Sequence, residues 1–153
     1  GKRLRADPAW TAFTTALSGL GSVAETMRFQ NLKSWGDLSD ADGLWDNFVY
    51  QVSNPAAFQA ALDRFMNSAT GKKFPGQLHL VAVEAAGMGP ATHAIIVGWA
   101  SEAEREAWND ANAANSDLVL FNLEAEMSSD FLGANLSRTL AAHGASLKSA
   151  LGR

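Results

Sequence analysis

The chain has 153 residues, of which 47% are apolar and 18% charged, enough to bury one ordinary core and too apolar for a disordered or fibrous chain. Its net charge is −4, and no Lys/Arg cluster exceeds the short Lys2-Arg3-Leu4-Arg5 start, which argues against a nucleic-acid partner because wrapping a phosphate backbone needs many cations on one face. Cys is absent, so disulfides, thiolate catalysis and Cys-held metal or iron–sulfur sites are excluded, and no apolar run approaches a membrane span, none being longer than runs such as Ala94-Ile95-Ile96-Val97.

Asp7-Pro8 reads as a helix start, a capping carboxylate followed by Pro at the first helical position. Trp10, Phe13, Ala16 and Leu17 make one apolar face, and Gly19 and Gly21 end the helix. Ser22 to Trp35 reads as extended, and Gly36 to Gly43 as an acidic loop carrying Asp37, Asp40 and Asp42. Phe48, Tyr50 and Val52 alternate with Asn47, Val49 and Gln51, a strand with a period of two. Ser53-Asn54-Pro55 then opens a helix with Phe58, Ala61, Leu62, Phe65 and Met66 on one face.

Gly71 to Gly76 is a loop, Leu78 to Val83 a second strand and Gly87 to Pro90 a turn. Thr92 to Trp99 is apolar on both faces, which predicts a central strand. Ser101 caps a helix with Glu104 at the capping-box position and Ala103, Ala107 and Trp108 facing inward. A break at Asn115-Ser116-Asp117 restarts it with Leu118, Phe121, Leu123 and Ala125, and Phe131 to Leu140 is the last strand.

The start of the chain also repeats its end. Phe13 and Phe121, Gly36 and Gly144, Trp10 and Leu118, Val23 and Phe131, and Leu32 and Leu140 all stand 108 positions apart. A fixed period of that length predicts duplication of a small domain. The expected division is a partial repeat of helix plus strand over 1–36, a complete unit over 37–144 and a tail over 145–153. Because the chain opens inside a repeat, further sequence upstream is expected, and the compartment stays open. The order strand–helix–strand, strand–helix–strand predicts an α+β fold of the ferredoxin-like split type, a sheet with helices on one face and the other face needing cover.

That order, with Ile95-Ile96-Val97-Gly98-Trp99-Ala100-Ser101 running into Glu102-Ala103-Glu104-Arg105-Glu106-Ala107-Trp108, resembles the dimeric α+β barrel superfamily of antibiotic-biosynthesis monooxygenases, haem-degrading monooxygenases and stress-responsive barrel proteins. The resemblance spans roughly Leu44 to Leu140 and, through the repeat, Asp7 to Gly36. It implies that two such units pack sheet to sheet, as a homodimer or as tandem halves, around a central barrel.

It also brings forward four side chains. Trp108 matches the Trp that abuts the ligand in haem-degrading relatives, and also reads as a core residue of its helix. Asn47 lies where such relatives carry an Asn that orients oxygen or substrate, and also reads as a solvated edge residue. No His occurs between Asn109 and Glu126, where those relatives place the iron ligand, so a histidine-held haem is not expected. His79 and His93 fall on adjacent strands. Pairing through the Gly87–Pro90 turn would set them opposite one another, as metal ligands or an acid–base pair with Glu84 the nearest carboxylate by sequence, or as packed structural residues. Asp37, Asp40 and Asp42, like Ser128-Ser129-Asp130, lack the rest of a calcium loop. No phosphate loop, nucleophile elbow or zinc signature occurs.

The expectation is a small-ligand-binding or assembly module without metal or cofactor, pairing with itself and holding a small apolar ligand. The alternatives are a cofactor-independent monooxygenase for an aromatic or polyketide-like substrate, using Asn47, His79, His93 and Trp108, and a structural repeat protein whose units complete one another with donated strands.

Overall fold

The computed structural model describes residues 7–19, 27–36, 43–86 and 89–138. In chain order these form α1 (Pro8–Ser18), β1 (Met27–Trp35), β2 (Leu44–Val52), α2 (Pro55–Asn67), a 3-10 turn (Gly71–Lys73), β3 (Gln77–Ala86), β4 (His93–Trp99), α3 (Glu102–Asn112), α4 (Ser116–Glu126) and β5 (Ser129–Arg138). The acidic loop at 37–42, residues 87–88 of the turn at 87–90 and the tail beyond 138 lie outside the described residues.

One five-stranded sheet runs β1-β3-β4-β2-β5, and every neighbouring pair is antiparallel. Without β1, the order β3-β4-β2-β5 is that of a ferredoxin-like unit, and the fold is α+β as expected. The strand predicted to be central, β4, is central because apolar side chains on both its faces need neighbours on both sides.

Helix α2 forms where the sequence sets it. Asn54 Oδ1 accepts from the Ala57 amide at 3.1 Å, and Pro55 occupies the first turn, where its missing N–H costs nothing. The five residues predicted to line its inner face, Phe58, Ala61, Leu62, Phe65 and Met66, are all buried. They meet the sheet through Tyr50, 5.0 Å from Phe58 between ring centres, and α4 through Phe121, 5.7 Å from Phe65. Leu44, Val52, Leu78, Leu80, Ile95, Val97 and Trp99 complete the core from the strands.

Helix α3 is capped by Ser101, whose Oγ accepts from the Glu104 amide at 3.1 Å. Glu104 Oε1 accepts in turn from the Ala100 amide at 3.1 Å, one residue before the position a standard capping box uses. The helix stops at Asn112 and restarts at Ser116, where Asn115 caps it, so the predicted break is present. Ala103 and Ala107, expected inside, are exposed, as is Leu123. Helix α3 reaches inward through Arg105 and Trp108 instead. The last strand starts at Ser129, two residues before its expected start.

Both ends of α1 and α4 stand 108 positions apart, and in the strands that follow the described residues meet at that offset only over 27–30 and 135–138, which are strand in both. Phe13 is 54% exposed where Phe121 is 8% exposed, because Phe121 has α2 beneath it. Strand β1 adds to the free edge of β3 in the same sheet, from Met27 opposite Ala86 to Trp35 opposite Leu78. Gly36 ends it at φ +73°, a left-handed conformation that favours glycine, and a Cβ there would collide with the Gly76 carbonyl.

Candidate functional site

Strand alternation decides what faces the helices. Pairing of Phe48 with Ile95, Asp46 with Val97 and Leu78 with Val97 puts these five side chains on one face, together with Tyr50 and Trp99. Above them α3 and α4 leave a cavity of about 250 Å³, walled by Phe48, Tyr50, Phe65, Phe74, Trp99, Trp108 and Phe121 and edged by Asn109 and Asn122. Phe74 organises one wall. Its ring meets Trp99 at 5.1 Å and Trp108 at 5.3 Å between centres, both edge-on, the arrangement that aromatic quadrupoles favour.

The wall has one polar anchor beneath it. Trp99 Nε1 donates to Asp46 Oδ2 at 3.0 Å, and Arg105 Nε donates to the same oxygen at 2.7 Å. Asp46 is buried, so these two donors are what make its charge tolerable there. The hydrogen bond to Asp46 pushes the Arg105 guanidinium above its usual value. Within the cavity, burial pushes the Tyr50 hydroxyl up to about 12, which keeps it protonated. Among the described residues nothing hydrogen-bonds that hydroxyl.

The four side chains singled out in the sequence are not brought together. Trp108 forms part of the cavity wall. His93 is on the same side of the sheet but packs by the Phe58 ring at 6.4 Å, its Nδ1 3.0 Å from Thr92 Oγ1. His79 and Asn47 project from the opposite side of the sheet. His79 stacks on Trp45 at 6.3 Å, with its Nδ1 2.7 Å from Ser34 Oγ. Asn47 Nδ2 donates to Asn135 Oδ1 at 3.0 Å and to Ser137 Oγ at 3.2 Å.

The expected His79–His93 pairing is therefore corrected. Strand β3 continues to Ala86, and Gln77 lies opposite Gly98, so partner numbers total 175 where the tight turn would have made them total 172. An odd shift in register sends the two side chains to opposite faces. Burial lowers the pKa of both imidazoles, and each lacks the other as a partner. Glu84 pairs with Arg28, and among the described residues no three His, Asp or Glu side chains gather as metal ligands would.

Sequence reading missed Tyr50, Phe74, Asn109 and Asn122 as site residues. Tyr50 carried a signal, because it is the only tyrosine and its alternation with Phe48 and Val52 already placed it inward. Phe74 carried none, lying in a loop between two lysines and a proline.

No family model matches this chain, and no curated protein matches it. Among solved structures, one described as that of a major regulator of staphylococcal pathogenesis aligns at 12% identity over 74% of this chain and 71% of its own, with a TM-score of 0.44. A likeness that weak carries no argument about function.

Proposed function

We propose that this chain binds a small, flat apolar ligand in the cavity between the sheet and helices α3 and α4. The observation that supports it is the wall itself, seven aromatic side chains around about 250 Å³ with one hydroxyl that no described residue hydrogen-bonds and two amides at the edge. Ligand sites of this kind are mostly apolar with a few directing polar groups. A space somewhat larger than the benzene-binding cavities of about 150 Å³ suits one or two fused rings. Among the described residues the lining contains no carboxylate and no imidazole, and its one titratable group, Tyr50, holds its proton to about 12. General acid–base work near neutral pH therefore lacks a group to perform it, which favours binding over the monooxygenase reading.

Calorimetric titration with naphthalene tests the proposal, with saturable one-site binding as the expected result. Leu118→Trp adds a ring to the cavity from α4 and is expected to abolish that binding while the melting temperature holds or rises. Binding that survives the filled cavity would place the ligand elsewhere.

Self-association is a second reading, favoured by a different observation. Val119, Leu120 and Leu123 on α4 and Phe131, Leu132 and Leu136 on β5 stand exposed, and β5 is an edge strand among the described residues. An edge strand with large apolar neighbours is a pairing surface. The opposite sheet face offers less than the resemblance implied. Its Val49, Val81 and Ala94 are already buried, and Asn47, Gln51, Asn135 and Ser137 give it polar margins. Light scattering across a dilution series is expected to show a dimer that the double variant Leu123→Glu/Phe131→Glu converts to monomer. A wild-type chain that stays monomeric at high micromolar concentration would remove this reading.

A further inference from the structure

Two hollows meet at one side chain. The aromatic cavity lies on one side of Trp108, and on the other a groove of about 470 Å³ runs between the 3-10 turn and α3. Trp108 is the one described residue that lines both. It is half-buried, and no described residue accepts from its indole N–H.

The groove differs chemically from the cavity. Lys73, Thr70, Asn112, Asn115 and Glu104 line it. Most of their bonding capacity is committed. Thr70 Oγ1 donates to Asn115 Oδ1 at 3.0 Å, Asn112 Nδ2 donates to the Trp108 carbonyl at 2.9 Å, and Glu104 Oε1 holds the Ala100 amide. Of these five residues, two carry donor groups with no described partner, the Lys73 ammonium and the Asn115 amide N–H₂. Donors left over on one wall of a groove call for an acceptor, and an ammonium among them calls for a negative one. Glu104, on the facing helix, opposes a second negative charge, so the complement is a monoanion rather than a phosphate.

Resting on the reading that the cavity holds an aromatic ring, we propose that the ligand is an amphipathic aromatic carboxylate. Its ring occupies the cavity and its carboxylate the groove at Lys73 and Asn115, with the Trp108 indole packed against the link between them. A ligand with only a ring would fill one compartment and leave the two donors to water.

Paired titrations with naphthalene and 2-naphthylacetate test this on the whole chain. The carboxylate is expected to bind about tenfold more tightly, the scale of one charge-assisted contact at a solvent-exposed site. Lys73→Gln is expected to erase that advantage and leave naphthalene binding unchanged, and because Lys73 is exposed the variant keeps the fold, which circular dichroism verifies. Added salt is expected to weaken only the carboxylate. Equal affinity of the two compounds for the wild type, or equal weakening of both by Lys73→Gln, overturns the two-compartment site while leaving the cavity reading intact. Failure of both compounds to bind overturns the cavity reading and this proposal with it.

Discussion

Phe58→Ala is expected to lower the free energy of unfolding by about 3–5 kcal/mol, the range for truncating a fully buried phenylalanine. Phe58 is 0% exposed and sits where α2 meets the middle of the sheet, with the Tyr50 ring 5.0 Å and the His93 ring 6.4 Å from its own. Its neighbours belong to β2, β4 and α2, so they cannot collapse into the void without shifting a strand or a helix. Against the roughly 5–15 kcal/mol that holds a domain folded, the loss removes a large fraction. Phe121→Ala supplies the contrast. Phe121 is nearly as buried but already borders the cavity, so part of its surface has no neighbour to lose, and its truncation is expected to cost less. Urea unfolding of both variants measures the difference. A cost below about 1 kcal/mol for Phe58→Ala would mean that α2 does not pack on the sheet as described.

The contrast between these two phenylalanines also separates what was legible in the sequence from what was not. The inner face of α2 was readable because spacing alone sets which side chains share one side of a helix, and all five residues named from spacing are buried. The central position of β4 followed from apolar residues on both its faces. Register did not follow, because it depends on where a hairpin reverses. Continuation of β3 to Ala86 moved His79 from a place opposite His93 to the other side of the sheet. The cavity was less legible still. Periodicity says which residues of α3 could face inward, not how closely the helix approaches. Ala103 and Ala107 were expected inside, yet Arg105 and Trp108 reach the sheet and the two alanines are exposed. Long side chains that reach inward while short ones stay outside leave a hollow beneath a helix, and no pattern of apolar letters distinguishes that from close packing.

Tyr50 allows that hollow to be read directly, because it is the only tyrosine in the chain and its tyrosinate absorbance is therefore unambiguous. In the folded protein it is expected to titrate at about 12, against 10.0 for an exposed phenol, since burial disfavours the phenolate. The consequence for stability has a definite sign. Below pH 10 the phenol is protonated in both states, and Tyr50 adds no pH dependence. Between pH 10 and 12 the unfolded chain loses the proton while the folded one keeps it, so the folded state binds more protons and stability falls as pH rises. At 1.36 kcal/mol per pK unit the full loss is about 2–3 kcal/mol, an upper bound because Tyr50 is only partly shielded and water reaches it through the cavity mouth. Tyr50→Phe is expected to abolish this alkaline loss specifically, leaving whatever the lysines contribute. A bound ring that displaces water from the hydroxyl is expected to raise the value further, which makes the titration a reporter of occupancy as well. An absorbance midpoint near 10 in the folded protein, unchanged by strong denaturant, would place Tyr50 in open solvent, and the cavity as described would not exist.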